Sequence, residues 1–190
     1  VTTLVFLLEE PSARVALEGF LPKILPDAIR TRYLVFEGKQ DLEKRMARQM
    51  RAWRLPEIRF VVLRDQDSGD CRVIKRALVE RAREAGRPDA LVRIACREFE
   101  SWFVGDWMAV GVAFDKANLS RLQSKAMYRE PDALGSPVRE LRKVIPAYQK
   151  VDGARRIGPH LDPGRNRSHS FRAFAEALQR LVGGVEGQRS

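Results

Sequence analysis

The stretch FVVLRDQDSGDC, Phe60 to Cys71, runs an apolar segment straight into three aspartates, Asp65, Asp67 and Asp70. Taken back to Ile58, it reads as a buried strand, Ile58–Asp65, ending in acid. A near-continuous apolar run of this length suits a parallel sheet covered by helices on both faces. Carboxylates gathered at such an end cost free energy unless a cation, basic side chains or water neutralises them. Here they occur in a chain whose net charge is +10.

Working outward, strand and helix patterns alternate. TTLVFLL (Thr2–Leu8) is a strand, and Leu17, Phe20, Leu21, Ile24 and Leu25 recur at helical spacing over about Ser12–Leu25. RYLVFEG (Arg32–Gly38) is a second strand, followed by a helix over Lys39–Trp53. After the third strand a helix spans about Cys71–Ala85, with Asp70 as its N-cap. ALVRIAC (Ala90–Cys96) is a fourth strand, and EFESWFVGDWMAVGVAF (Glu98–Phe114) is helical. The alternation predicts an α/β fold, a TOPRIM/Rossmann-like, mainly parallel sheet with helices on both faces.

Beyond Phe114 the texture loosens. Ser136–Ile145 is a short helix with Ser136 at the N-cap and Pro137 in the first turn. KVDGARRIGPHLDPGRNRS (Lys150–Ser168) reads as a long loop, and a last helix starts near Ser170. The expectation is one domain over residues 1–190, with an α/β core in 1–116 and a basic helical and loop extension in 117–190. That extension carries 14 Lys and Arg against 7 Asp and Glu. Such a basic surface suits a polyanionic partner, nucleic acid above all, as well as a merely solvated face.

Hydrophobic residues at 44% and charged residues at 32% describe an ordinary globular chain. No apolar run approaches the roughly 18 residues of a membrane span, and VTTLVFLLEE reads as a strand instead of a signal peptide. The two cysteines, Cys71 and Cys96, are far apart in sequence and offer neither a disulfide framework nor a metal-ligand pair. A cytoplasmic location is expected.

In a parallel α/β sheet, sites form outside the carboxyl ends of the strands. Glu9 and Glu10 follow the first strand, Asp65 and Asp67 the third, Glu98 and Glu100 the fourth. Residues two apart on a strand project to one side, so Asp65 and Asp67 can face one divalent ion, Mg²⁺ or Mn²⁺, with Glu9 completing the site. A one-residue shift at the strand end exchanges Glu9 for Glu10. Against this, Asp-x-Asp also organises turns without any metal. A haloacid-dehalogenase-like phosphatase places Asp-x-Asp on its first strand, where this chain has glutamate.

Glutamate after strand one and Asp-x-Asp after strand three resemble the TOPRIM arrangement of topoisomerases, primases and related nucleases. LLEEPSARVALEGFLPKIL, FEGKQDLEKRM, VVLRDQDSGDC, RIACREFESWFVGD, YREPDAL, YQKVDGARRIGPHL and NRSHSFRAF together resemble, over nearly the whole chain, the TOPRIM-like family known as domain of unknown function 4276. That family's first motif often reads Val-Glu-Gly-x-Thr-Glu. On this pattern Glu9 takes the metal-binding glutamate, Glu10 the glycine place, Ser12 the threonine place and Ala13 the second acidic place, which is lost. Asp65 and Asp67 match the Asp-x-Asp pair; Glu98, Glu100, Trp102 and Asp106 match a Glu-x-Glu-x-Trp segment. The further resemblance to overcoming-lysogenization-defect nucleases implies Glu100 as a ligand of a second metal. It also implies, by analogy, a role in phage defence beside an ATPase partner.

The resulting expectation is a Mg²⁺-dependent phosphodiester-handling protein, a TOPRIM-type nuclease on DNA or RNA, with Glu9, Asp65 and Asp67 as catalytic metal ligands. Lys150, Arg155, Arg156, Arg165 and Arg167 would grip nucleic acid from the loop. The alternative is a non-enzymatic TOPRIM-like module that binds nucleic acid or docks on an ATPase. Trp102, Phe103 and Trp107 have the spacing of a helix core more than of a base-stacking platform. His160 and His169 lack metal-ligand spacing, and there is no Walker loop or nucleophile elbow.

Overall fold

The computed structural model describes residues 2–54 and 57–186. Four parallel strands form one sheet in the order β2-β1-β3-β4: β1 Thr3–Leu8, β2 Arg30–Val35, β3 Ile58–Asp65 and β4 Leu91–Ala95. Helices α1 (Pro11–Phe20), α2 (Lys39–Ala52) and α3 (Cys71–Glu84) connect them. The chain moves one way from β1 to β2 and then reverses past β1 to β3 and β4. Right-handed crossovers therefore put α1 on one face of the sheet and α2 and α3 on the other.

Period-2 alternation serves both faces. Leu4, Phe6 and Leu8 of β1 and Val61 and Leu63 of β3 pack with Ala16, Leu17 and Phe20 of α1. Val5 and Leu7, with Ile58, Phe60 and Val62, pack with Leu42, Met46 and Met50 of α2 and Leu78 and Ala82 of α3. Edge strand β2 is half exposed; Arg30 and Arg32 keep that edge charged, while Tyr33 stacks on Phe6 at 5.4 Å. The reversal leaves a topological switch point where β1 and β3 lie side by side and their chains leave toward opposite faces.

The C-terminal part joins the α1 face. Tyr128, Leu141, Tyr148, Ile157, Phe171, Phe174 and Leu178 share one buried cluster with β1 and α1. Trp102, Phe103 and Trp107 are buried within it, Trp102 lying 5.2 and 5.0 Å from the rings of Phe171 and Phe174. Helix α8, His169–Glu186, closes this face.

Several sequence expectations need correction here. The first helix ends at Phe20 and continues only as a 3₁₀ turn, Leu21–Lys23, with Pro22 inside it. The helical segment after β4 is two helices, α4 (Ser101–Val104) and α5 (Trp107–Ala113), because Asp106 leaves helical geometry and its carboxylate caps α5 through Ala109 N–H. Helix α6, Pro137–Val144, starts at Ser136 as expected, but the serine hydroxyl makes no capping bond. Most of the expected loop 150–168 is ordered structure: α7 (Lys150–Ile157) and a 3₁₀ turn (Gly158–His160). Two glycines of this stretch are close-packing positions: a Cβ on Gly153 would collide with the Tyr148 ring, and one on Gly158 would lie 2.5 Å from the Ala16 carbonyl oxygen.

Candidate metal centre

Three acidic side chains converge at the switch point. Asp65 ends β3, Glu10 is the N-cap of α1 with extended backbone before Pro11, and Glu100 precedes α4. One carboxylate oxygen from each lies within 4.8 Å of the others. Asp65 is 8% exposed and Glu100 fully buried, so two of the three acids sit in the protein interior.

The electrostatics follow from that burial. Burial, then the charges of Glu10, Glu100 and Glu9, hold the Asp65 carboxyl well above the ordinary range, with the Phe99 N–H opposing. Burial pushes Glu100 up to about 7, with Lys150 pulling the other way. Among the described residues neither Glu100 oxygen has a hydrogen-bond partner. A buried carboxylate without a hydrogen-bond donor loses its hydration, and the Lys150 ammonium offsets that loss only in part. Lys150 Nζ lies 3.2 Å from Glu10 Oε2 and 3.6 Å from Glu100 Oε2. Burial acts to lower the Lys150 pKa, but Glu100, Glu10 and Asp65 outweigh it and the ammonium is held above its ordinary value. Ser12 Oγ donates to Glu10 Oε1 at 2.6 Å, and the buried Tyr148 hydroxyl lies near Glu100 and Glu10 without a hydrogen-bond partner among the described residues.

The donor set fits a divalent cation. Three carboxylates from three elements converge, one of them fully buried and without a hydrogen bond among the described residues, and hard divalent cations are bound by such oxygen clusters. Removing protons from Asp65 and Glu100 is the work a bound cation would repay.

The residues expected from sequence are distributed around this cluster. Glu9 lies beside it: its Oε2 accepts from Asp65 N–H at 3.0 Å, tying the end of β1 to the end of β3. Burial, together with the charge of Asp67, lifts its pKa against that bond. Asp67 turns away, since its φ of 54° ends the strand alternation that would have paired it with Asp65. Its carboxylate takes Lys39 Nζ at 2.7 Å. Asp70 caps α3 by accepting from Arg72 and Val73 N–H. Glu98 accepts from Val138 N–H at 3.4 Å.

Among the expected basic residues, Lys150 belongs to the acidic cluster. Arg155 is exposed on α7, while Arg156 pairs with Asp152 and lies over the Phe114 ring. Arg165 is turned inward, its Nε and Nη2 donating to the two oxygens of fully buried Asp106 at 2.8 and 2.9 Å. His160 and His169 are exposed. The cysteines, distant in sequence, come near each other: burial raises the Cys96 thiol to about 11, and the neighbouring Asp132 and Cys71 act the same way. Lys150 was legible only as one more basic residue, because nothing local to it shows that α7 packs on α1.

An α/β protein with a parallel sheet and a buried carboxylate cluster at its switch point is the class that fold and site define. The chain belongs to the family described as "Domain of unknown function (DUF4276)", whose sequence model matches residues 8–179. No curated protein matches the sequence. Among solved structures it is similar to the "C-terminal region of the Burkholderia pseudomallei OLD protein", with a TM-score of 0.54 at 16% identity, over 94% of this chain and 98% of that one. The fold is thus TOPRIM-like. Among the described residues no helix is long and apolar enough to cross a membrane.

Proposed function

We propose that this protein is a divalent-metal-dependent nuclease acting on DNA or RNA, with Glu10, Asp65 and Glu100 holding Mg²⁺ or Mn²⁺. The observation that carries this reading is the buried Glu100 carboxylate, which accepts no hydrogen bond among the described residues, has the Lys150 ammonium at 3.6 Å, and faces Asp65 and Glu10. A divalent cation there supplies Lewis acidity toward a phosphodiester and its attacking water. Glu9 keeps the strand ends in register by accepting the Asp65 N–H, and with Asp67 it forms a second acidic pair at the same edge. Lys150, already between Glu10 and Glu100, brings the positive charge that faces a phosphate once the carboxylates are neutralised. The similarity in fold to the OLD region, the Glu-x-Glu-x-Trp match at Glu98, Glu100 and Trp102, and the net charge of +10 support the same reading.

The test pairs calorimetric titration of Mn²⁺ with cleavage of single- and double-stranded DNA and RNA oligonucleotides. Metal binding and cleavage are expected in the wild type and lost in folded Asp65→Asn and Glu100→Gln variants. Unchanged Mn²⁺ binding in both variants would sink the metal assignment. Metal and nucleic-acid binding without cleavage would make the protein a binding module instead of an enzyme.

A further inference from the structure

A cleft of about 390 Å³ is lined by three arginines, Arg129, Arg167 and Arg172. None of their guanidiniums makes an ion pair or hydrogen bond among the described residues. Three like charges converging on one space repel each other, and water screens them only in part. The guanidinium fork matches the geometry of phosphate oxygens, which makes arginine the residue of choice for such an anion.

The frame holding these arginines is built and buried. Arg167 N–H donates to Gly105 O at 2.9 Å, and on either side of it Asn166 and Ser168 are buried. Asn166 Nδ2 donates to Trp102 O at 2.7 Å. Arg172 sits in the first turn of α8, where the helix dipole adds positive potential. Arg129 follows the 3₁₀ turn Ala126–Tyr128, and the next turn, Pro131–Ala133, is fastened to the start of α8 through Asp132. Asp132 accepts from Ser168 Oγ at 2.6 Å and from Ser170 N–H at 2.7 Å. This nearby carboxylate is therefore consumed by the frame, and among the described residues no acid lines the cleft. The same frame reaches the metal centre: Ser170 Oγ accepts from Cys96 N–H just beyond β4 and from Trp102 Nε1, two residues after Glu100.

We infer that Arg129, Arg167 and Arg172 form a phosphate-binding cleft that holds a backbone phosphate of the nucleic-acid strand presented to the acidic cluster. This assignment rests on the nuclease reading for the source of the phosphate, while the cleft's affinity for phosphate stands by itself. A strand gripped there is anchored beside β4 while another of its phosphodiesters meets Glu10, Asp65 and Glu100.

The experiment uses the full chain carrying Asp65→Asn, so that cleavage does not interfere. Binding of a fluorescein-labelled oligonucleotide is measured by anisotropy from about 50 to 200 mM salt, with and without Arg129→Gln, Arg167→Gln and Arg172→Gln together. A variant on the opposite face of the sheet, Arg48→Gln, is the control. The triple variant is expected to bind about 10- to 100-fold more weakly at low salt, with a salt slope shallower by about 1 to 2. Protection against thermal unfolding by inorganic phosphate is measured in parallel. Lost phosphate protection with unchanged oligonucleotide binding would keep the cleft and make its ligand a small phosphate compound, overturning the strand assignment. Unchanged oligonucleotide binding together with unchanged phosphate protection would overturn the cleft itself. Mn²⁺ calorimetry on the triple variant without Asp65→Asn separates the two proposals, because loss of the arginines leaves the acidic cluster intact.

Discussion

Replacing Glu100 by glutamine should make the metal-free protein more stable at alkaline pH and leave it unchanged in acid. In the folded chain burial pushes this carboxyl from its ordinary 4.5 to about 7. Between those values the folded state holds a proton that the unfolded chain has released, so wild-type stability falls as pH rises from about 4.5 to about 7. At about 1.4 kcal/mol per tenfold change, the loss is about 3 kcal/mol. Glutamine keeps the shape and has no proton to lose, so the difference between Glu100→Gln and wild type should grow from near zero at pH 4.5 to about 3 kcal/mol at pH 8. Asp65 shares in this, since removing its charged neighbour also eases its own ionisation. Urea denaturation in EDTA at four pH values reads the difference directly. A difference that does not vary with pH, or a wild type more stable than the variant at pH 8, would refute the reasoning. Saturating Mn²⁺ should reverse the order, because only the wild type gains the binding free energy.

Lowering the pH from 7 to 5 should weaken Mn²⁺ binding by wild type about 50-fold, since protons compete for Glu100; calorimetry across that range checks it. Lys150→Met removes the ammonium between Glu10 and Glu100, so the metal-free variant should lose roughly 1–2 kcal/mol at pH 8 yet bind Mn²⁺ more tightly than wild type. Arg165→Ala strands the buried Asp106 charge and should cost about 3 kcal/mol in urea denaturation with Mn²⁺ affinity unaltered. Gly158→Ala forces a methyl against the Ala16 backbone and should cost about 2 kcal/mol; since α1 carries Glu10 at its N-cap, Mn²⁺ affinity should fall as well.

The alternation of buried strands and amphipathic helices was legible because each element's apolar pattern answers to its own geometry. β1 and β3 are apolar on both faces, and Asp70 stands immediately before an apolar-faced helix, at its N-cap position. The acidic ends of β1, β3 and β4 were visible for the same reason, as charges where apolar runs stop. The helical identity of Lys150–Ile157 was not visible, because Gly153 weakens a helix by intrinsic preference and is present to admit the Tyr148 ring. The inward turn of Arg165 was equally hidden, since its partner Asp106 lies 59 positions away.

By itself, then, the sequence determined a parallel α/β sheet, its strands and crossover helices, and the edge on which the carboxylates gather. Those features depend on local periodicity and on the handedness of short connections. Only the tertiary structure decided which carboxylates meet. Glu10 joins Asp65 and Glu100 while Glu9 turns to the Asp65 N–H, and a positive φ at Asp67 sends that side chain to Lys39. The position of Lys150 and the convergence of Arg129, Arg167 and Arg172 were decided there too. Such placements depend on backbone turns of a single residue and on packing between distant segments, neither of which leaves a periodic trace in the chain.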